Sequence, residues 1–358
     1  VLRIDRRLLF HFDWVLAGLA LALVGVGLLT LSSLVPRLAL RQALWATVGL
    51  TAALALVSLD YRTLARWALI GYVGALGGLA GVLLLGRTAQ GARRWLAVGP
   101  FTVQPAELFK LVLIIALARY LAGRQEHRPG WDRVAVPLLL VAPAFVLIVK
   151  QPDLGTAVVL LPAVAAMILV GGAQARHLAI VAGLGLAVTP AFWFVLHDYQ
   201  RQRILVYLDP FRDPLGSAWN VIQAKITIGS GQLWGKGLFG GTQSRLAFLP
   251  ERHTDFIFAA FAESWGFLGA IGLLSLYGLL ALRGLEIAST ARDELGTLLA
   301  TGVTVLLVGQ ALVNLGMVTG LLPVVGIPLP MVSYGGSALL TALGAVALLE
   351  NVRMRRFA

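Results

Sequence analysis

Apolar stretches about twenty residues long recur along this chain from Trp14 to Leu349. Each matches what a helix needs to cross a hydrocarbon core of roughly 30 Å. They are read at about 14–34, 42–59, 67–86, 107–122, 134–149, 154–172, 177–196, 256–282, 297–322 and 332–349. The seventh contains Pro190, which a membrane helix tolerates when neighbours satisfy the freed carbonyl. Only 13% of the 358 residues are charged, against roughly 25% in a soluble domain. The chain is predicted to be an all-α integral membrane protein. It forms a single polytopic membrane domain over 1–358 with ten transmembrane helices, and its basic N-terminal segment is read as leading into a retained first span.

Ten spans put both termini on one side, and the basic residues orient them. Fifteen arginines fall in the terminal segments and connections on the side of the termini, against six Arg or Lys in the short connections opposite, so both termini are expected in the cytoplasm. Spans seven and eight are joined by a long extracytoplasmic loop, about 197–254, and loops of that length usually carry function. Within it, Trp219, Ile222 and Ile226 at helical spacing predict a short helix lying in the interface. The net charge of +12 is scattered over connections without interleaved aromatics, which argues against nucleic acid. The glycine-dense "GSGQLWGKGLFGGTQ" fails as a phosphate loop. Gly231 and Gly235 are one residue too close, and Gly237 stands where Ser or Thr is required.

Ionisable residues at the ends of apolar spans are costly, so each is a functional candidate. Three clusters share the extracytoplasmic side. In "QPAELFK", Glu107 and Lys110 are three apart on one helix face and within ion-pair reach, which also fits a structural pair. In "KQPDLGT", Asp153 follows Pro152 and is suited to capping the sixth span. In "PERHTDFIFAAFAESWG", Thr254 or Asp255 is expected to cap the eighth span. Glu251, Arg252, His253 and Asp255 together exceed any capping requirement. Glu263, two turns deeper, either lines the same cavity wall as Asp255 or pairs with a basic residue. With no cysteine and only His197 and His253 on this face, no protein-built metal site is legible, nor is a serine or lysine nucleophile arrangement.

Four segments, "RWLAVGPFTVQPAELFK", "KQPDLGT", "GKGLFGGTQSRLAFLPERHTDFIFA" and "GLLPVVGIPLPMVSYGGSA", resemble the motifs of the SEDS family (shape, elongation, division and sporulation), in order and over nearly the whole chain. Ala106 and Ala338 stand where that family mostly has Ser. The resemblance implies a bacterial cytoplasmic-membrane peptidoglycan glycosyltransferase that polymerises lipid II at the outer face. It also implies a class B penicillin-binding protein as transpeptidase partner. The family's essential aspartate falls on Asp255, its acid and base pair on Glu107 and Lys110, and its further aspartate on Asp153.

In such a reaction a sugar 4-hydroxyl displaces polyprenyl pyrophosphate with inversion. The leaving group is already good, so one base suffices where cations offset the departing charge. Partial burial against Phe256 suits Asp255 to accept the proton. Candidate cations are Arg94, Lys110, Arg203, Lys225, Lys236, Arg245 and Arg252, and Gln243 is a further candidate for substrate support. No cofactor is required, although a divalent ion carried by the substrate pyrophosphate is compatible. The competing readings are a lipid-linked precursor flippase, a non-catalytic scaffold, and a division-type member of the same family.

Overall fold

The computed structural model describes residues 11–356 apart from 90–91, 100, 124–129, 196–197, 210–212, 214–217 and 246–248. The principal helices are α1 (Trp14–Leu34), α2 (Pro36–Ser58), α3 (Tyr61–Arg66), α4 (Ala68–Leu85), α5 (Pro105–Ala122), α6 (Asp132–Lys150), α7 (Leu154–Val170) and α8 (Ala175–Val195). They continue as α9 (Asp198–Leu208), α10 (Trp219–Ser230), α11 (Thr242–Arg245), α12 (Ile257–Ser289), α13 (Glu294–Thr319) and α14 (Gly336–Met354). Among the described residues seven helices are long and apolar enough to cross a membrane: α1, α2, α4, α6, α12, α13 and α14. α7 and α8 are shorter apolar helices, and α5 carries Glu107, Lys110 and Arg119.

Helices α13 and α14 form the centre. More than 70% of the apolar window of each is buried, whereas α2 and α4 turn most of their surface outward. Small residues allow close approach there. A Cβ on Gly302 of α13 would lie 2.5 Å from Met167 Sδ, and one on Gly27 of α1 would lie 2.5 Å from the Val332 carbonyl oxygen.

The expectation of an all-α chain is corrected by a three-stranded antiparallel sheet, β1 (Arg87–Ala89), β2 (Ala92–Val98) and β3 (Phe101–Val103), between α4 and α5. Val98 pairs with Phe101, and Gly99 at φ +61° makes the tight connection that only glycine adopts freely. The sheet sets Arg94, on β2, against the 151–153 turn that precedes α7.

The eighth apolar run is not one straight helix. α12 breaks at Gly266 (φ +67°, ψ −165°), and residues 231–237 fill the break. The amides of Phe267 and Leu268 donate to the carbonyls of Gln232 and Leu233, while those of Lys236 and Gly237 donate to the carbonyls of Glu263 and Ser264. The glycine-dense segment is therefore a backbone clasp. A Cβ on Gly231 would sit 2.1 Å from the Ala262 oxygen, and one on Gly235 2.3 Å from the Ser264 oxygen. α10 forms where the Trp219, Ile222 and Ile226 spacing predicts a helix, but it buries Gln223, Ala224 and Thr227, and Ile226 faces out.

Gly235 combines φ +77° with that contact, so Gly235→Ala should cost more than about 2 kcal/mol of stability. Gly18→Ala, in open space on α1, should leave stability unchanged or raised. Thermal unfolding of the purified variants in detergent checks both.

Candidate functional site

The segment before α12 is held by its backbone. Three consecutive carbonyls, those of His253, Thr254 and Asp255, accept from Tyr334 N (2.9 Å), Ser333 Oγ (2.6 Å) and Asn314 Nδ2 (2.8 Å). Inside the turn, the amides of Thr254 and Phe256 donate to the Glu251 carbonyl, and Thr254 Oγ1 donates to Glu251 Oε2. The expected side-chain cap is absent: the N-cap of α12 is Phe256, without a capping hydrogen bond, because Thr254 is spent on Glu251. Asp255 is half-buried at the edge of this turn. Glu251 at φ +51° and Met331 at φ +63° are non-glycine residues in the left-handed region, one in each partner of the clamp. Strain of this kind persists only where surrounding contacts impose it.

The 327–335 stretch that grips this turn is itself fastened from three sides. Gln42 on α2 donates to the Ser333 carbonyl and accepts from Gly335 N, Tyr277 donates to the Pro330 carbonyl, and Ser333 Oγ accepts from Leu329 N. Asn314 donates a second time, to the Ile327 carbonyl at 2.6 Å. One helical turn earlier, Gln310 donates to the Pro328 carbonyl at 2.9 Å and accepts from Lys110 Nζ at 2.9 Å.

Glu107 and Lys110 form an ion pair of 2.8 Å with both residues at most 3% exposed. Burial makes the pair costly, and it is sustained by the Gln310 oxygen as well as by mutual attraction. Asp153 caps α7, accepting from Thr156 N and Oγ1 and from Gln104 Nε2, with Arg94 Nη1 at 3.9 Å. Arg94 also donates to the carbonyls of Gln151 and Pro152. Gln104 N donates to Ser337 Oγ, which brings the 104–107, 153 and 337 positions together.

Glu263 does not join Asp255 on a shared wall. Wholly buried, its Oε1 accepts from Lys236 Nζ (3.0 Å), Ser230 Oγ (3.2 Å) and the backbone amides of Thr242 (2.9 Å) and Gln243 (3.0 Å), locking the clasp to the helix break. Gln243 thus meets Glu263 through its main chain. Lys225 is exposed on α10 beside Gly320, and Arg203 and Arg245 lie in α9 and α11 with side chains outside the described residues.

Lys110, Lys236 and Arg94 are committed to the contacts just given. Arg252 differs: its Nη1 is buried and has no hydrogen-bond partner among the described residues. Burial also pushes its pKa down, although a guanidinium stays charged. Burial pushes the His253 imidazole below its usual pKa, with Glu251 opposing and Arg252 adding, so His253 is mainly neutral near pH 7. No group of three or more His, Asp or Glu among the described residues could hold a metal ion.

Sequence reasoning missed Gln42, Gln310, Asn314, Ser333 and Ser337. The available signal was two amides four residues apart in an apolar helix, which share one face.

Lys110→Met should leave the Glu107 carboxylate buried without its partner and cost about 3–5 kcal/mol, whereas Glu107→Gln combined with Lys110→Met should recover much of the loss. Unfolding midpoints of the three proteins in the same detergent measure the difference.

Over residues 14–357 the chain matches the family described as cell cycle protein, that of FtsW, RodA and SpoVE. Peptidoglycan glycosyltransferase MrdB of Escherichia coli (strain K12) is 40% identical over 310 residues, 86% of this chain and 84% of that protein. A chain from the solved structure "Structural coordination of polymerization and crosslinking by a peptidoglycan synthase complex" superposes with a TM-score of 0.84 at 39% identity, covering 97% of this chain and 98% of the other. Rod shape determining protein RodA of Thermus thermophilus superposes with a TM-score of 0.74 at 36% identity, covering 97% and 98%.

Proposed function

Because this chain belongs to the SEDS family, that of FtsW, RodA and SpoVE, we propose that Asp255 is the general base of its glycosyl transfer. The chain is a multi-pass membrane protein and a peptidoglycan glycosyltransferase, the activity named in its relative MrdB. The observation that carries the residue assignment is the turn whose three successive carbonyls, 253 to 255, are each held by a separate donor. A carboxylate on so fixed a backbone keeps one location relative to a bound sugar, which is what general-base catalysis needs.

In the proposed reaction the 4-hydroxyl of the acceptor sugar attacks the anomeric carbon of a lipid II-type donor, and Asp255 takes the hydroxyl proton. The bond to polyprenyl pyrophosphate breaks, and one displacement turns the α-linked donor into a β-1,4 bond. The departing pyrophosphate gathers negative charge, and Arg252 is proposed as the cation beside it, supported by its unmatched buried Nη1. Glu107, Lys110, Asp153 and Arg94 act as the framework under the base, and Glu263 as the anchor of the clasp, since their polar groups are met within the protein. A divalent ion, where the reaction uses one, would travel with the substrate pyrophosphate.

The reading includes ten spans, α3 and α9 to α11 lying outside the count, with both termini cytoplasmic and Asp255 at the outer face. It assigns the chain to cell elongation and rod shape, in keeping with the similarity to MrdB and RodA, and gives it a class B penicillin-binding protein as transpeptidase partner. The synthase complex that its structural neighbour belongs to supports that pairing.

Two substitutions test the chemistry with purified protein and lipid II in detergent, with and without the transpeptidase. Asp255→Asn should reduce polymer formation by about 10²–10⁴-fold at an unchanged unfolding midpoint, and polymer at the unsubstituted rate would rule out the base. Arg252→Met should lower kcat by about 10²-fold, while exposed Lys225→Met should have little effect. In detergent no compartments exist, so a flippase yields no polymer there, whereas an enzyme does.

A further inference from the structure

We infer that Asn314, backed by Gln310, is the positioning residue for the base and couples the buried Glu107–Lys110 pair to it. Asn314 is wholly buried in α13, and its amide nitrogen has two N–H groups, one directed at the Asp255 carbonyl and one at the Ile327 carbonyl. The Asp255 carbonyl carbon and side chain share one Cα, so the bond that holds the carbonyl also fixes where the carboxylate begins.

Gln310 repeats the device one turn earlier, with its nitrogen on the Pro328 carbonyl and its oxygen accepting from Lys110. Carbonyls 327 and 328 are consecutive, so the two amides grip one peptide unit and its neighbour. A continuous line of hydrogen bonds and covalent backbone then runs from Glu107 through Lys110, Gln310, Pro328, Ile327 and Asn314 to Asp255. A carboxamide meets the demands of both positions. At 314 two donors on one atom are required, which Asp and Leu lack, and at 310 the same side chain must accept from an ammonium and donate to a carbonyl.

The pair Glu107–Lys110 therefore acts on the reaction through the backbone of the base. Its buried charge keeps Gln310 in a single rotamer, since turning the amide would set its N–H groups against the ammonium. This assignment rests on Asp255 being the base. The carboxylate displaced by a fraction of an ångström still binds nothing new and loses only its alignment with the hydroxyl. The expected signature is a fall in kcat at constant KM.

The test compares Asn314→Ala, Gln310→Ala, Asp255→Ala and Thr301→Ala in the full chain, measuring kcat and KM for lipid II and the unfolding midpoint. Asn314→Ala should lower kcat about 10- to 100-fold with KM within about twofold, and Gln310→Ala should do the same more weakly. Thr301, whose hydroxyl donates to the Thr297 carbonyl of its own helix, should keep kcat and KM close to those of the unsubstituted protein. If Asn314→Ala yields too little folded protein, Asn314→Ser, too short to span both carbonyls, provides the same reading. An unsubstituted kcat for the 314 variant, or a loss that merely follows the folded fraction, overturns the positioning role. Full activity of Asp255→Ala would instead overturn the base, a separate outcome.

Discussion

A helix that breaks inside an apolar bundle must hand its freed backbone groups to something else, and in this protein the 231–237 segment receives them. Four main-chain hydrogen bonds cross between it and the two halves of α12 at Gly266. In hydrocarbon each unmet group would cost several kcal/mol. The break is therefore inseparable from the loop that satisfies it. The first half of α12, preceded by the 253–255 turn, is free to take a direction different from that of the second half. Glu263 then fixes the clasp laterally with a single carboxylate oxygen shared among an ammonium, a hydroxyl and two amides.

The same rule explains the other end of the site. The charged groups around the site lie among apolar helices with partners at hand: Lys110 has Glu107 and Gln310, and Asp153 has Thr156, Gln104 and Arg94. Arg252 Nη1, beside the 253–255 turn, is buried without a hydrogen-bond partner among the described residues, as are Gln151 Oε1 and Asn314 Oδ1. A buried donor without an acceptor is unfavourable in the free protein, and an anionic substrate group would relieve that deficit.

The apolar runs were legible in the sequence because lipid imposes both composition and length, and the ionisable residues at their ends stood out for the same reason. Glu107, Lys110, Asp153 and Asp255 stand out on that ground; Glu107 and Lys110 lie in the first turns of α5 and Asp153 caps α7, whereas Asp255 precedes α12 without capping it. The sheet at 87–103 was not legible, since strands of three residues carry no useful alternation. Nor was the kink: Gly266 lies in a mainly apolar run, and the groups that a Cβ there would meet, Gly235 N and the Leu233 carbonyl, come from far earlier in the chain. Gln310 and Asn314 were overlooked because an amide in a helix announces no partner. Their meaning depends on carbonyls at 255, 327 and 328, which only the fold brings alongside.

The Lys110–Gln310 bond spans two hundred residues of chain. Glu107 and Lys110 are synthesised well before α13, so the Gln310 oxygen becomes available to Lys110 only later. The 253–255 turn gains its donors only when α13 and the 327–335 stretch have been added. Order of synthesis thus leaves the Asp255 turn without the donors that hold its carbonyls until residues 314, 333 and 334 have been made.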